Sequence, residues 1–475
     1  MPPIEPPRFR FPSAFTILFG LILLVAALTW IIPAGQYARA PSEALGKDVP
    51  VAGSYAPTEA NPQGVFDILL APVAGFYDPD SYTANAIDVS LFVLIIGGFI
   101  GVVTATGAID AGIKRAMTRA KGREVWMIPF LMALFALGGT TYGMAEETLA
   151  FYVILTPVMI AAGYDALVAV AVILLGAGIG VLGSTINAFS TVIASDAAGV
   201  SFADGLALRL IILGLCWAAT VAFVMRYAAR VKADPSKSLV FDRKETNEAH
   251  FLKETAADVA FTGLHKLVLV LFALTFAVMI WGVSSGGWWM AQMSALFLAA
   301  AIVIGVIGRL GEVKLIDSFV NGARDLLGVA LIIGLARGIV VVMDAGHITD
   351  TVLHAAEVSV AGLPKTAFIL VIYWIEVGLS FFVPSTSGLA VLSMPVLAPV
   401  ADFAGVKREL VVTAFATASG MVNLITPTSA VVMGGLAIGR VPYERWLRFV
   451  WPLLVVLTLI LMAALALAVT LGAPA

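Results

Sequence analysis

The sequence predicts an all-α polytopic membrane protein, and three observations support that fold class. First, 60% of the 475 residues are hydrophobic and only 12% are charged, whereas soluble domains carry about 25% charged residues. Second, the apolar runs are about 20 residues long, which is the length of a helix that crosses a bilayer. Third, these runs lack the alternation of apolar and polar residues that marks the strands of a membrane barrel.

The rule that about 20 apolar residues cross a bilayer predicts about nine full spans and two pairs of half-length segments in this chain. The full spans are at 14–34, 87–106, 165–200, 205–230, 264–285, 289–308, 326–344, 406–440 and 446–472, and those at 165–200 and 406–440 are broken by polar residues. The half-length segments occupy 125–161 and 364–402. We divide the chain into an N-terminus (1–13), a first half (14–230) with an outer loop (35–84), a linker (231–263), an extra span (264–285) and a second half (286–475).

Lysine and arginine predict the orientation, because they are enriched in short cytoplasmic loops. They cluster at 8–10, 114–123, 226–253, 309–314 and 440–448, all on one side if the N-terminus is cytoplasmic and the C-terminus is outside. The loop at 35–84 contains only Arg39 and Lys47. The loop at 285–289 reads SGGWW, and we expect its tryptophans to lie at the membrane interface. Since no eukaryotic targeting signal is evident, we expect the inner membrane of a bacterial cell.

Two of the predicted spans are interrupted in the same way, one in each half of the chain. The first reads GAGIGVLGSTINAFSTVIA and is broken at Gly183, Ser184, Thr185 and Asn187. The second reads ATASGMVNLITPTSAVVMGGLA and is broken at Asn423, Thr426, Pro427, Thr428 and Ser429. Backbone inside a bilayer leaves a helix only where it lines a cavity or is buried in protein. Paired interruptions of this kind indicate the binding site of a transporter.

Short similarities recur in the same order in the two halves. TGAID (106–110) corresponds to AGHITD (345–350), and LTPVMIAAGYD (155–165) corresponds to LAPVADFAGVK (397–407). The alternative is chance similarity between apolar sequences. The charge rule makes 87–106 run inward and 326–344 run outward. We therefore predict an inverted repeat in which each half contributes a re-entrant hairpin and a discontinuous helix near the middle of the membrane.

The predicted hairpin tips and the two breaks supply the candidate binding residues. Exposed helix N-termini favour a carboxylate, and freed carbonyl and hydroxyl oxygens favour a cation such as sodium. The substrate candidates are Thr140, Thr141, Gly143, Glu146, Glu147, Ser184, Thr185, Asn187, Arg337, Ser385, Thr386, Ser387, Asn423, Thr426 and Thr428. The sodium candidates are Gly183, Asn187, Asn423 and Thr426.

The charged residues at membrane depth have two interpretations each, because such residues are costly and are functional by default. Glu146 or Glu147 either binds a cation, an amine or a coupling proton, or has a structural role in an ion pair or at a helix start, where it complements the dipole. Arg337 is either a clamp for a substrate carboxylate or half of a permanent ion pair with Glu376, Glu146 or Glu147. Glu376 is either that partner or a coupling site.

The motifs GMAEETLAF, PSTSGLAVLSMPVLAPVAD and NLITPTSAVVMGGLA resemble the YfcC-type branch of the anaerobic four-carbon dicarboxylate carrier family, which includes basic amino-acid antiporters. The resemblance extends from about residue 10 to 470 and places the chain in the wider ion-transporter superfamily. It implies an elevator mechanism and a homodimer. The chain departs from the family pattern at Asn187-Ala188, where Asn-Pro is common, at Leu389, where Gln is common, and at Ala418-Ser419-Gly420, where an acidic residue is common.

We expect a secondary active transporter for a small carboxylate-bearing metabolite (an amino acid, a peptide or a dicarboxylate), coupled to sodium or protons or working by exchange. The glutamate pair favours amino acids or peptides, because an unpaired carboxylate repels a dianion. The alternative is an ion-only sodium/proton antiporter. No zincin, nucleophilic serine or phosphate-loop motif indicates an enzyme. We expect the substrate, the coupling cation and the lipid bilayer as partners, no nucleic acid, and no cofactor beyond a sodium ion.

Overall fold

The computed structural model describes residues 12–42, 45, 47–112, 115, 124–252 and 261–471. Its longer helices are α1 (Ala14–Leu28), α2 (Val65–Ala74), α3 (Ile87–Ala105), α4 (Met127–Thr141), α5 (Leu149–Ala161), α6 (Ala166–Leu182), α7 (Ile193–Ala198), α8 (Leu206–Ala233), α9 (Lys244–Phe251), α10 (Gly263–Gly286), α11 (Met290–Ile307), α12 (Glu312–Asp325), α13 (Leu327–Ala345), α14 (Thr349–Val360), α15 (Lys365–Phe382), α16 (Thr386–Ala404), α17 (Arg408–Val422), α18 (Ala430–Ile438) and α19 (Tyr443–Leu471). Residues 108–112 are also helical.

Within the described residues, nine helices are long and apolar enough to cross a membrane. The number agrees with the sequence prediction, but the set of helices differs. The predicted span at 14–34 is wrong in length, because α1 ends at Leu28 and Pro33 follows shortly after it. The broken helices divide into shorter pieces, whereas α15 and α16 are 18 and 19 residues long. The second hairpin therefore does not consist of half-length arms.

Several predictions concern segments beyond the described residues. The first eleven residues of the predicted N-terminus, with their basic cluster, lie outside them, as do most of the basic cluster at 114–123 and the end of the last span. The predicted linker (231–263) is described except at 253–260. Its described part contains the end of α8 and the short helix α9, which packs against α5.

The outer loop contains two small antiparallel ribbons, which the prediction of an all-α protein did not include. Strand β1 (Gly35–Gln36) pairs with β4 (Ala56–Pro57), and β2 (Arg39–Ser42) pairs with β3 (Lys47–Pro50). The loop is attached to α14 by Arg39, whose guanidinium lies 2.9 Å from both carboxylate oxygens of Asp350. Strand β3 contacts α16, so the loop reaches from α14 to the second hairpin.

The order of elements in the first half recurs in the second. The series from α2 to α8 corresponds to the series from α12 to α19, with the helical residues 108–112 opposite α14. The packing is reciprocal: α12 packs on α3 and α2 packs on α13. Likewise, α7 packs on α16 and α18 packs on α5. Helices of each half are thus buried against helices of the other half.

The centre of the structure consists of α6 and α17, the first parts of the two broken helices. Every residue of α17 from Leu410 to Val422 is buried, and all of α6 is buried except Gly178 and Val181. The first hairpin (α4 and α5) packs on α6, and the second hairpin (α15 and α16) packs on α17. A helix that is apolar on every side must be surrounded by protein or lipid, and here the hairpins provide the protein.

Candidate functional site

The two breaks lie next to each other, because α6 and α17 cross immediately before them. A Cβ atom on Gly420 would lie 2.4 Å from the Cα of Leu182, the last residue of α6. A Cβ atom on Gly178 would lie 2.3 Å from Cδ2 of Leu424, in the second break. Small residues allow two membrane helices to approach this closely. The interruptions that the sequence predicts in separate halves are therefore neighbours in space.

The first hairpin tip is joined to the first break by Thr140 and Thr185, both of which are buried. The backbone N–H of Thr185 donates to Oγ1 of Thr140 at 3.0 Å, and Oγ1 of Thr185 donates to the carbonyl of Thr140 at 3.1 Å. The N–H of Ile186 donates to the same carbonyl at 3.2 Å. These bonds satisfy backbone donors that have no partner within an interrupted helix.

Asn187 organises the rest of the first break. Its Oδ1 accepts from the N–H of Phe189 at 2.9 Å, which caps the π-helical turn Ala188–Val192, and its Nδ2 donates to the carbonyl of Gly139 at 3.3 Å. The hydroxyls of Ser184 and Thr191 lie 2.5 Å apart. π-helical turns are rare and are frequent at functional sites. All three side chains are buried, so the break is ordered by its own polar groups.

The glutamates of the first tip occupy the short 3-10 turn Glu146–Thr148. The buried Glu147 accepts from the N–H of Ala145 at 3.0 Å. Glu146 is half-buried, and the acidic residues that act on it are Glu147 and Asp88. Within the described residues, neither glutamate has a lysine or arginine at ion-pair distance. The first tip therefore concentrates acidic side chains that have no paired cation within the described residues.

The first break and tip face the start of α3 and the SGGWW loop. Asp88, in the first turn of α3, accepts from Nε1 of Trp289 at 3.0 Å. The ring of Trp289 lies 5.0 Å from that of Phe189, between centroids. The sequence prediction placed this tryptophan at the membrane interface and missed its contact with the break.

The second break is held by hydroxyl groups. The hydroxyls of Thr426 and Thr428 lie 2.7 Å apart, and Thr428 donates to the carbonyl of Phe381, near the second tip, at 3.3 Å. Ser429 caps α18 by accepting from the N–H of Val432 at 3.5 Å. Both threonines are buried. The second tip is thus bonded to its own break, as the first tip is.

A second set of contacts joins the start of α16 to the end of α17. Asn423 donates through Nδ2 to Oγ1 of Thr386 at 3.4 Å, and the hydroxyls of Thr386 and Ser419 lie 3.2 Å apart. Ser385 is the N-cap of α16 and accepts from the N–H of Gly388 at 3.2 Å. Ser387 is half-buried in the first turn of the same helix. The structure therefore gathers Ser385, Thr386, Ser387 and Asn423 at the second tip.

Two carbonyls of the second break are capped by aromatic side chains of α19. Nε1 of the buried Trp446 donates to the carbonyl of Leu424 at 2.9 Å, and the hydroxyl of Tyr443 donates to that of Ile425 at 2.6 Å. Sequence reasoning missed both residues, because Tyr and Trp near the end of a span are usual at membrane interfaces. These contacts reduce the number of free carbonyl oxygens that a cation would find in this break.

Some candidates lie apart from these contacts. Oγ1 of Thr141 donates to the carbonyl of Leu137 in its own helix at 2.6 Å. Arg337 is half-buried on α13, and within the described residues it forms no ion pair with Glu376, Glu146 or Glu147. Asp344, two turns along the same helix, is a carboxyl group on which the Arg337 charge acts, but the two form no ion pair within the described residues. The permanent ion pair predicted as one interpretation of Arg337 is therefore wrong for those glutamates.

The sodium candidates remain a prediction. Oδ1 of Asn187 already accepts a hydrogen bond within the first break, and the hydroxyl of Thr426 is already hydrogen-bonded within the second. In the part of the chain that the structure describes, no group of three or more His, Cys, Asp or Glu side chains has the arrangement of a metal site. A sodium site would therefore have to use neutral oxygens, as Gly183, Asn187, Asn423 and Thr426 would provide.

Comparison with known proteins identifies the family. The family described as C4-dicarboxylate anaerobic carrier matches residues 11–470. An uncharacterized protein of Haemophilus influenzae is 39% identical over 494 aligned positions, which cover 95% of this chain and 96% of that protein. An Escherichia coli protein with the name "Putative basic amino acid antiporter YfcC" is 32% identical over 475 positions, which cover 93% of each chain.

Two solved structures are similar over nearly the whole length. The YdaH transporter of Alcanivorax borkumensis is 16% identical, with a TM-score of 0.42, and the match covers 98% of this chain and 99% of that one. MtrF of Neisseria gonorrhoeae is 14% identical, with a TM-score of 0.42, and the match covers 97% and 96%.

The family match and the identity to YfcC confirm the resemblance that the hairpin and break motifs indicated. Together with the apolar helices, they identify a multi-pass transporter of the inner membrane. The chain belongs to the C4-dicarboxylate anaerobic carrier family.

Proposed function

We propose that this chain is a secondary active transporter that moves a small carboxylate-bearing metabolite, and that the two breaks with their hairpin tips form its binding site. The observation that carries the proposal is the meeting of the two breaks at the crossing of Gly420 and Leu182. Each break is also hydrogen-bonded to its own hairpin tip. Four interrupted elements that converge at one place supply exposed helix ends for an anionic group and oxygens for a cation.

An elevator mechanism with an inverted repeat is the second part of the proposal. The reciprocal packing of α12 on α3 and of α2 on α13 supports a two-fold relation between the halves. In this mechanism, the hairpins and broken helices are the moving unit, and α1–α3 with α10–α13 are the scaffold. We further propose a homodimer, with the N-terminus in the cytoplasm and the C-terminus outside.

Among carboxylate-bearing metabolites, the charges at the site favour amino acids. Glu146, Glu147 and Asp88 lie at the first tip and the adjoining start of α3, with no ion-paired cation for the two glutamates within the described residues. An amino group would be attracted to this region, whereas a dicarboxylate would be repelled unless a cation accompanied it. The name of the E. coli relative agrees with an amino acid, whereas the name of the family agrees with a dicarboxylate.

Arg337 is the remaining candidate for a carboxylate clamp. Its helix, α13, packs against α18 near Val329, where a Cβ on Gly434 would lie 2.8 Å from that side chain. Arg337 lies about two turns further along α13. A cargo carboxylate would therefore reach Arg337 only after the moving unit shifts along α13, which makes Arg337 a candidate for a contact in one state of the cycle.

The experiment that tests the proposal is uptake into proteoliposomes of the purified protein. Labelled basic amino acids, neutral amino acids and four-carbon dicarboxylates are compared with no gradient, a sodium gradient and a pH gradient. We expect concentrative uptake of an amino acid, and we expect it to be lost in Asn187→Ala and Glu147→Gln. Arg324→Ala, at the exposed end of α12, is the control with unchanged uptake.

Three results would each contradict a part of the proposal. Sodium-driven proton movement without uptake of any organic solute would establish the alternative, an ion-only antiporter. Uptake of a dicarboxylate but of no amino acid would agree with the proposal that the chain is a transporter, and would refute the proposal that its substrate is an amino acid. Unchanged transport in both Asn187→Ala and Glu147→Gln would show that the site lies elsewhere.

A further inference from the structure

The second hairpin contains a carboxyl group that the proposed binding site does not use. Glu376 lies in the buried stripe of α15, between Tyr373 and Leu379, and its side chain is 0% exposed. Neither of its carboxylate oxygens has a hydrogen-bond partner within the described structure. An ionised carboxylate in such surroundings costs several kcal/mol, because nothing replaces the water it has lost.

Two hydroxyl groups beside Glu376 are also without partners. Ser380 is one turn further along α15, and Ser393 faces the carboxyl group from α16. Both serines are buried, and both Oγ atoms have no hydrogen-bond partner within the described structure. A carboxylate, which only accepts hydrogen bonds, becomes both donor and acceptor when it is protonated. These hydroxyls could donate to either form of the carboxyl group, but only protonation removes the buried charge.

No charged group is positioned to neutralise Glu376 instead. On α14, Asp350, His354 and Glu357 contact Arg39 and Tyr37 of the outer loop. The other helices that pack around α15 carry their ionisable side chains near their ends: Asp402 on α16, Arg408 and Glu409 on α17, and Tyr443, Glu444, Arg445 and Arg448 on α19. Arg408 is itself paired with Asp402. Tyr373, one turn before Glu376, is the nearest titratable side chain on α15 and is neutral. The hydroxyls of Thr413 and Thr417 on α17 are bonded to their own helix.

The carboxyl group lies close to the second tip but apart from the breaks. It precedes Phe381, whose carbonyl accepts from Thr428, by about one and a half turns of α15. Ser393 follows Thr386, which is bonded to Asn423, by about two turns of α16. The contacts that bond the tip to the second break therefore lie within about two turns of Glu376 and Ser393 on the two arms.

We propose that Glu376, Ser380 and Ser393 form a proton-binding site between the arms of the second hairpin, and that this proton is coupled to transport. The proposal rests on the proposed function of the chain as a secondary active transporter. The carboxyl group holds a proton while the tip is closed and exchanges it with water when the tip opens. Opening and closing occur once on each side of the membrane, so the site carries the proton with the moving unit.

The protonation state is tested first, because it does not depend on transport. Infrared spectra of the wild type and of Glu376→Gln are recorded in H₂O and D₂O across neutral pH. We expect the wild type to show a component of the carbonyl band of protonated carboxylic acids that shifts in D₂O and is lost in Glu376→Gln. Glu312→Gln, an exposed carboxyl group at the start of α12, should retain the band. Glu376 ionised at neutral pH would overturn the proposal, whether or not the protein transports a solute.

The coupling is tested in proteoliposomes with the same variants. We expect Glu376→Gln, which resembles the protonated side chain, to exchange internal for external substrate at close to the wild-type rate. It should lose all accumulation driven by a pH gradient, while Glu312→Gln keeps it. Ser393→Ala should weaken pH-driven accumulation without loss of exchange. Accumulation that follows only a sodium gradient, or pH-driven accumulation retained in Glu376→Gln, would refute the coupling. Wild-type protein that moves no organic solute would refute the proposed function, while the infrared test of Glu376 would stand.

Discussion

The α-carbon of Gly143, at the first hairpin tip, lies directly against the side-chain amide of Asn187 in the first break. A Cβ atom on Gly143 would lie 2.6 Å from Oδ1 and 3.0 Å from Nδ2 of Asn187. Gly143 also has a φ of +78°, a conformation that other residues rarely adopt. The tip therefore turns at the residue whose lack of a side chain allows Asn187 to reach the carbonyl of Gly139.

We expect Gly143→Ala to displace Asn187 and to abolish transport. The substitution adds the strain of a positive φ, about 1 kcal/mol, to a steric conflict with a group that caps the break. Gly163→Ala is a matched control, because Gly163 has a φ of +87° but no atom within 4 Å of its Cβ position. Substrate binding and thermal unfolding in detergent are measured for both. Equal loss of binding in the two variants would show that backbone strain alone is responsible.

The crossing of α6 and α17 gives a second prediction. Gly420→Ala should push the two breaks apart and lower the free energy of unfolding by about 1–3 kcal/mol, as expected for overpacking of a tight core. Substrate affinity should fall as well, since both halves contribute to one site. Gly214→Ala on α8 is the control, because its Cβ position has no atom within 4 Å. Normal substrate affinity in Gly420→Ala would contradict a site shared between the breaks.

A third prediction concerns the cap of the second break. Trp446→Phe removes the donor to the carbonyl of Leu424 and leaves that buried acceptor without a partner. We expect a loss of about 1–3 kcal/mol in the free energy of unfolding, together with weaker transport. The control Trp451→Phe, at a side chain that is 66% exposed, should be close to the wild type. Equal stability of the two variants would refute the role of Trp446.

The contact between Phe189 and Trp289 tests the elevator mechanism. One ring belongs to the proposed moving unit and the other adjoins the proposed scaffold helix α11, with centroids 5.0 Å apart. In a Cys216→Ala background, a short bismaleimide cross-linker that joins the two cysteines of the variant Phe189→Cys with Trp289→Cys should stop the movement of the break. Transport should stop while substrate still binds from one side. The matched pair Trp281→Cys with Trp288→Cys, at 6.1 Å between ring centroids and both in or next to the end of α10, should remain active after cross-linking. Full activity of the cross-linked first pair would contradict movement of the break past α11.

The outer loop supplies a prediction of pH dependence. The hydroxyl of Tyr37 donates to Glu357 at 2.5 Å, and burial, with the Glu357 carboxylate next in importance, raises the pKa of Tyr37 above its ordinary value of 10.0. The folded state thus favours the neutral phenol, and this stabilisation is complete below pH 10 and declines at higher pH. Tyr37→Phe should lower the free energy of unfolding by about 1.5–3 kcal/mol at neutral pH, as for a hydrogen bond to a charged group. The difference from the wild type should shrink above pH 10. The exposed Tyr82→Phe should show no such difference.

The sequence predicted the parts of the fold that follow from local pattern. Polar residues beside glycine and proline within apolar runs located both breaks, because backbone in a membrane cannot be interrupted without a partner. The tip residues Thr140 and Thr386 were predicted with them, and the structure bonds these residues to Thr185 and Asn423.

Other features depend on distant contacts, which a single sequence does not reveal. Trp446 resembles an interfacial residue until the fold places its indole against the carbonyl of Leu424. Arg337 is a plausible type of residue for a carboxylate clamp in sequence, but only the fold shows that Glu146, Glu147 and Glu376 do not pair with it within the described residues. The second hairpin lies close to the predicted residues 364–402, but its arms are helices of 18 and 19 residues rather than half-length segments.

The caps that α19 provides to the second break have a mechanical consequence. Two side chains of one helix hold two consecutive carbonyls of the break, and α19 also packs along α8, α15 and α17. If the break travels across the membrane, this helix must travel with it or break both bonds. The carboxyl-terminal end of α19 would then move with the moving unit and its bound substrate rather than stay with the scaffold. A fluorophore at this end would therefore report each transport cycle.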